Sequence, residues 1–457
     1  MQPLLLLNVA GLTPALLEYA PNLRALGPAT PITPPFPAVT TTVQTTMLTG
    51  VSPAKHGVVG NGWFDRPSAE ARFWQRSAGL VQAEPLWVEA RRRDPSFTCA
   101  NLFWWHNSDA ACDVVLQARP LYKADGRKIP DCYARPESLR HALQAPPPRG
   151  LGRFPLFRYW GPLAGIESSR WIVDAGLRVL DGAGLPNDGP PTLTLVYLPH
   201  LDYDLQRYGP QYSRIAAGVQ AIDAEAGRLI ESAAQRGVRT AVVSEYGIEP
   251  TQGPQGGAVF LNRLLRDHGW LAVRDEDGLE DWDPLASAVV SACDHQAAHV
   301  YLRPGLGNRP SLDTVREACL ALPGVADAIR IDHERAGDFT LVARPGRWFA
   351  YDWWTDPRKA PDYARTVAIH DKPGFDPREL FSSASKPAVA WKLLRKKLGF
   401  RSLMDVVPLD PAPVGGTHGR VDLDPSQGPL AIGLPGISPG DPSSGVRNAI
   451  LSALFDA

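Results

Sequence analysis

The chain has no C-x-x-C pair, and its five cysteines, Cys99, Cys112, Cys132, Cys293 and Cys319, are widely scattered. That excludes a zinc knuckle and a thioredoxin-like motif, and fits reduced, buried thiols. Net charge is nearly absent: the formal value is -1 over 457 residues. No whole-chain field therefore points to nucleic acid or an anionic membrane. No apolar run approaches the ~20 residues of a membrane helix. The N-terminal run, Leu4 to Val9, lacks the basic flank and the length of a signal peptide's apolar region, and reads as a buried strand. The glycine-rich run 57–62 (GVVGNG) has neither the dinucleotide spacing nor the Lys-Ser/Thr of a P-loop. There are no internal repeats. The expectation is a soluble, cytoplasmic protein with neither a nucleic-acid polymer nor a membrane as partner. The basic run 392–397 (KLLRKK) reads as the solvated face of a short helix, contact with phosphate or lipid being the other reading.

What is present is a normal globular composition, 44% hydrophobic, and enough length for one large domain with an insertion or for two to three ordinary ones. Short apolar segments at 4–9, 98–104, 192–198 and 240–244 alternate with helical patterns. The longest helical pattern is 212–235, with Ile215, Val219, Ile222, Ala226, Leu229 and Ile230 near helical spacing and Gly237 closing it. Strand, helix, strand with near-continuous apolar strands implies a parallel sheet covered on both faces, an α/β fold. Ligands in such sheets gather beyond the carboxyl ends of the strands. That directs attention to Ala10-Gly11, to 200–206 and to Glu245-Tyr246.

After Gly253 the texture changes. A helix is expected over 259–270, a turn over 273–278, a strand near 300–303, a helix over 312–322 and a strand over 338–343. This reads as an α+β insertion at 256–374, flanked by a core at 1–255 and 375–457. The loop 371–377 (DKPGFDP) returns the chain to the core, and 408–416 is Pro/Gly-rich and irregular, as active-site loops often are.

The most informative segment runs from Phe36 to Asn61. A Pro-bounded loop (FPAVTTTVQTTMLTG) delivers hydroxyls to a helix start, and PAKHGVVGN follows. It resembles the nucleotide pyrophosphatase/phosphodiesterase (type I phosphodiesterase) family of the alkaline phosphatase superfamily, where the loop reads roughly F-P-S-x-T-F-P-N and then T-G-x-x-P-x-x-H-G-I-x-G-N. The resemblance covers most of 1–250 and returns at 415–422. It implies an alkaline phosphatase-like doubly wound sheet, with helices on both faces and a smaller α+β cap. It also implies hydrolysis of a phosphate ester or anhydride in a small substrate, with Thr40 as the nucleophile and a divalent metal, zinc first and Mn or Mg as alternatives.

Phosphoryl transfer of this kind needs a deprotonated nucleophile, a neutralised phosphoryl charge and a stabilised leaving oxygen, which two metal ions supply together. In the matching positions Asp202 and His418 keep the family's residue types, and Glu245 keeps the charge. Ala10 stands where the first Asp is expected, Gln206 where a His is, Tyr246 where another His is, and Val43 where an Asn cradles a phosphoryl oxygen. Gln binds hard cations through oxygen but is a poor zinc ligand. The ligand set implied is Asp202, Glu245 and His418 with His200 or Gln206 assisting, and Asn61 and Tyr246 face the substrate. The alternative, motivated by Ala10, Gln206 and Tyr246, is a catalytically silent protein that binds a phosphorylated ligand on the same scaffold. A C-x-P-x-R sulfatase motif is absent.

Asp294-His295 and His299 offer another carboxylate and two imidazoles, for a rebuilt site or as structural groups. His56 reads as closing a His-Gly turn, and His370 and Asp371 as loop-capping. The Thr cluster also has the plain reading of a helix N-terminus satisfied by hydroxyls. Phe103-Trp104-Trp105 either stacks a planar ligand or forms a buried aromatic patch.

Overall fold

The computed structural model describes residues 1–185, 189–304 and 310–456. Its centre is an eight-stranded sheet. In chain order the strands are β1 (Leu4–Val9), β2 (Thr30–Pro31), β3 (Cys99–Leu102), β4 (Val114–Ala118), β5 (Cys132–Arg135), β6 (Leu193–Leu198), β7 (Arg239–Val243) and β8 (Leu430–Ile432). Their spatial order is β2-β8-β7-β1-β6-β3-β4-β5. The five strands from β7 to β4 are parallel, and the flanking pairs are antiparallel. The run LLLLNV of β1 is buried along its whole length, as expected of a strand sandwiched between layers.

Four helices matter for the site and its surroundings: α1 (Thr40–Thr49), α2 (Ile166–Leu180), α3 (His200–Tyr208) and α4 (Ile215–Gln235). Helices α2 and α4 pack on each other and on β6 and β7. The apolar stripe predicted for α4 faces inward: Ile215, Val219, Ile222, Ala226 and Leu229 are buried. Gly237 follows at φ +68°, a left-handed position that glycine adopts without a Cβ penalty.

The stretch after Gly253 differs in detail from the sequence expectation. Residues 258–260 form a strand and the helix spans only Leu261–Asp267. The expected turn at 273–278 is a hairpin of Ala272–Glu276 with Leu279–Asp283, turning at Asp277-Gly278. Helical periodicity was read through a run whose first residues pair with Trp348–Ala350 instead. A four-stranded antiparallel sheet, Val289–Asp294, Ala297–Leu302, Phe339–Ala343 and Val325–Ile329, carries the helix Leu312–Ala321. It has its own apolar cluster, with members from Val259 to Ala364, separate from the cluster of the large sheet. No helix among the described residues is long and apolar enough to cross a membrane. All five cysteines are buried and free.

Candidate active site

Strand ends build the site. β1 supplies Asn8, the turn after β7 supplies Glu245 and Tyr246, and α3, which follows β6, supplies Asp202 and Gln206. Thr40 is the first residue of α1, and its hydroxyl does not cap that helix. The other threonines behave differently. Thr45, Thr46 and Thr49 hydroxyls donate back to carbonyls one turn earlier, and Thr41 donates to Gly60. Thr40 Oγ1 instead lies 3.0 Å from Tyr246 Oη. Tyr246 donates its one hydrogen to Asp202 Oδ1, at 3.2 Å. The Thr40 hydroxyl must therefore be the donor to Tyr246. The result is an oriented chain, Thr40 to Tyr246 to Asp202, and Gln206 Nε2 donates to the other oxygen of Asp202 at 2.8 Å.

Glu245 sits beside this chain under different restraints. Asn8 Nδ2 donates to its Oε1 at 2.6 Å, and Gln44 Nε2 donates to the same oxygen. Gln44 is aimed by its own carbonyl, which accepts from Trp105 N at 2.7 Å. Glu245 Oε2 has no protein partner among the described residues. Among the described residues no cation touches either carboxylate, so burial dominates. It pushes Asp202 up to about 7 and Glu245 up to about 8, and the hydrogen bonds they accept offset this only in part.

His418 closes the site from the late loop. Its Nδ1 lies 2.8 Å from Ala38 O. A carbonyl only accepts, so Nδ1 carries the proton and Nε2 presents a lone pair, 3.8 Å from Asp202 Oδ1. Burial, and then the neighbouring His295, hold this imidazole neutral, its pKa well below the usual range. The Tyr246 ring lies flat on His418, centroids 3.6 Å apart and planes 5° apart.

The four-stranded antiparallel sheet reaches the same place. His295, between Val289–Asp294 and Ala297–Leu302, stacks on Phe375 at 3.6 Å and meets His418 at 3.9 Å. Asp294 accepts from His295 Nδ1 at 2.7 Å, from Asn61 N at 2.7 Å and from Asn61 Nδ2 at 3.1 Å. Asn61 Oδ1 in turn accepts from Thr41 N at 3.1 Å. Asn61 is thus a clamp that ties the start of α1 to the insertion, its amide spent on protein partners.

Other candidates fall outside the network. His200 heads α3, with its imidazole 3.8 Å from Asp204. His299 lies within a strand rather than before one, held by Val59 O and Thr340. His56 closes its turn by accepting from Val58 N and meeting Thr46. His370 is held by Arg76 and Phe73 O. Trp104 is fully buried, and Trp105 packs on Trp74 at 5.0 Å, so this cluster is an interior aromatic patch.

The sequence reading passed over Asn8 and Gln44. Both carried a signal: Asn8 is the one polar residue in an otherwise apolar strand, and Gln44 lies four residues after Thr40, on the same face of α1.

Residues 4–376 match the family model described as type I phosphodiesterase / nucleotide pyrophosphatase. The chain belongs to that family. A pyrophosphatase/phosphodiesterase from Schizosaccharomyces pombe is 22% identical over 253 residues, 51% of this chain and 41% of that protein. Human ectonucleotide pyrophosphatase/phosphodiesterase family member 1 is 22% identical over 258 residues, 54% of this chain and 22% of that protein. The matched part thus spans less than half the length of these curated relatives. Among solved structures, murine ectonucleotide pyrophosphatase/phosphodiesterase 5, an inactive form in complex with AMP, aligns with 100% of this chain and 95% of its own at TM-score 0.58 and 14% identity. Phosphonoacetate hydrolase from Sinorhizobium meliloti, in complex with phosphonoformate, aligns with 99% and 96% at TM-score 0.60 and 14% identity. At such identity these two establish the alkaline phosphatase-like fold.

The phosphodiesterase resemblance raises the question of a metal pair, and the donor set does not fit one. Among the described residues, no group of three or more His, Cys, Asp or Glu side chains is arranged to hold a metal ion. On one side Asp202 and His418 remain, but Gln206 turns its NH2, not its oxygen, toward Asp202. A zinc position takes three or four protein donors. On the other side Ala10 offers a methyl group, and the Tyr246 phenol fills the space between Thr40 and Asp202 with a proton.

Proposed function

We propose that this chain is a phosphoester hydrolase-like protein for a small phosphorylated substrate. Thr40 is its nucleophile, and a proton relay through Tyr246 to Asp202 stands where a two-metal phosphodiesterase uses cations. The observation that carries the reading is the oriented chain from Thr40 Oγ1 to Tyr246 Oη at 3.0 Å and on to Asp202 Oδ1 at 3.2 Å.

The roles follow from the geometry. As the bond from Thr40 Oγ to phosphorus forms and the bond to the leaving oxygen breaks, the Thr40 proton passes to Tyr246 and the Tyr246 proton to Asp202. Water protonates the leaving oxygen, and the hydroxide so formed attacks the phosphorus of the phosphothreonine; the bond to Thr40 Oγ breaks as Asp202 returns its proton through Tyr246, which restores the Thr40 hydroxyl and releases the phosphate product. Asp202, pushed up to about 7 by burial, is a base matched to neutral pH. Glu245, pushed up to about 8, holds a proton at neutral pH. Its unpartnered oxygen donates that proton to a phosphoryl oxygen. The amide groups at the start of α1, apart from the Thr41 N–H that Asn61 takes, receive the remaining charge. The late His-Gly loop sets the Tyr246 ring through its stack on His418.

A second reading, a catalytically silent binder of phosphorylated ligands, draws on one specific feature. Asn8, Gln44 and Gln206 spend three side-chain amides on the two carboxylates, which suits holding them still as well as it suits chemistry.

Turnover of p-nitrophenyl phosphodiesters separates the two. The hydrolase reading expects Thr40→Ala to lose at least about 10³-fold and Tyr246→Phe about 10²-fold. Wild-type protein with no turnover, but with AMP-induced thermal stabilisation that disappears in Thr40→Ala, establishes the binding reading. Neither turnover nor stabilisation contradicts both.

A further inference from the structure

One surface feature that the site does not explain is an excursion of the chain between Ser383 and Val406. Ser383 N donates to Val406 O at 2.8 Å, so the segment between them leaves the body and returns to the same point. It contains a helix, α5 (Lys386–Lys397), capped by Ser385. None of its twelve residues is buried, and none of 384–405 is. Lys392 ties the helix to the returning segment through Asp405 and the Leu403 carbonyl, so the excursion has a fixed shape.

Its composition is unlike the rest of the surface. Trp391, Leu394 and Leu398 are 61%, 45% and 65% exposed. They recur at i, i+3 and i+7, on one face of the helix. Phe400 and Leu403, 59% and 48% exposed, extend that face past the helix end. The same segment is strongly basic: between Leu380 and Asp405 it has six Lys and Arg and no Asp or Glu, in a chain whose formal net charge is -1. A soluble surface rarely gathers exposed Trp, Leu and Phe in one place without a partner.

We propose that this excursion is a docking element for an anionic phospholipid surface. The helix lies in the plane of the leaflet, with Trp391, Leu394 and Leu398 in the headgroup–acyl boundary and the exposed Arg395 and Lys397, which flank that face, against the lipid phosphates. Charge complementarity selects this occupant. A second copy of the chain would bring six cations onto six cations. A nucleic acid would answer the charge but leave the apolar face wet. An anionic leaflet satisfies both at once, and an aromatic–leucine face with lysines beside it is the chemistry of an interfacial helix. The element would hold the protein at a membrane surface without spanning it.

Flotation of the full chain with vesicles tests this, comparing pure phosphatidylcholine with phosphatidylcholine containing phosphatidylglycerol. The expected result is co-flotation with the anionic vesicles only. Trp391→Ser with Leu394→Ser should weaken it at least about tenfold. Arg395→Gln with Lys397→Gln should weaken it about tenfold at low salt and less at high salt. Both variants should melt with wild type, because they touch no buried residue, so a loss of flotation cannot be a loss of fold. The proposal is overturned by a chain that stays with the soluble fraction. It is overturned equally by flotation that ignores lipid charge or both double variants, by self-association through this face, and by capture of RNA in place of vesicles.

Discussion

Two of the buried acidic clusters among the described residues answer burial in opposite ways. In the loop that returns the chain from the insertion, Asp376, Glu379 and Asp352 surround Lys372 and Arg378, all nearly inaccessible to solvent. Arg378 makes a bidentate pair with Asp352 at 2.6 and 2.8 Å, and its Nε reaches Asp376 at 2.7 Å. Lys372 bridges Asp376 and Glu379 at 2.8 Å each. Burial alone would raise Asp376, but Arg378 and Lys372 outweigh it and hold the carboxyl below its usual range. Around Thr40 the carboxylates are equally buried and meet only amides and a phenol. They rise to about 7 and about 8. The difference is the cation. Where the chain supplies one, a buried acid is held below its usual range; where it supplies none, burial lifts the acid to neutral pH or above.

The largest effect that sharpens this contrast is expected from Arg378→Met, which leaves Asp352 and Asp376 buried without their main partner. It should cost about 3–5 kcal/mol, read by urea unfolding. A cost under about 1 kcal/mol would show that the ion cluster is not compensated in the way described.

Next in size is the pH response. Glu245 is raised from 4.5 to about 8 in the folded protein. The folded state thus holds a proton the unfolded chain would release. Its contribution is complete below about 4.5 and is lost as pH rises through about 8. Glu245→Gln, which copies the protonated form, should therefore match wild type near pH 5 and be more stable near pH 9, by up to about 3 kcal/mol. Asp376 works in the reverse sense, its contribution failing only in acid. Thermal melts across pH would break the comparison if both clusters weakened at the same end.

The smallest effect concerns the phenol. Tyr246→Phe removes one bond from Thr40 and one from Asp202, and should cost about 1–2 kcal/mol of stability. Urea unfolding checks this. A gain in stability would mean the phenol is strained rather than bridging.

Much of the architecture was legible. The strands 4–9, 192–198 and 240–244 and the helix after Tyr212 carried unambiguous periodicity, because a sheet buried on both faces and an amphipathic helix leave different patterns. The stretch after Gly253 was legible only in outline, since Ala258–Phe260 is too short to show a period before the helix starts. At the site, the Thr40 loop and the late His418 were found by resemblance. What the substitutions do was not. Tyr246 read as a lost ligand, yet its hydroxyl does a ligand's bridging with a proton. Asn61 read as facing substrate, yet its amide is committed to Thr41 and Asp294. Side-chain partners more than 200 residues apart, such as Asn8 with Glu245 and Asn61 with Asp294, leave no local trace in the sequence.

The account stands on a Thr40 network that works on protons without a metal pair. Phosphodiester turnover by EDTA-treated, zinc-free protein, confirmed by elemental analysis and repeated after zinc addition, tests that claim most directly. The prediction is Thr40-dependent turnover that EDTA leaves unchanged and zinc does not raise. Turnover abolished by EDTA and restored by zinc would contradict it.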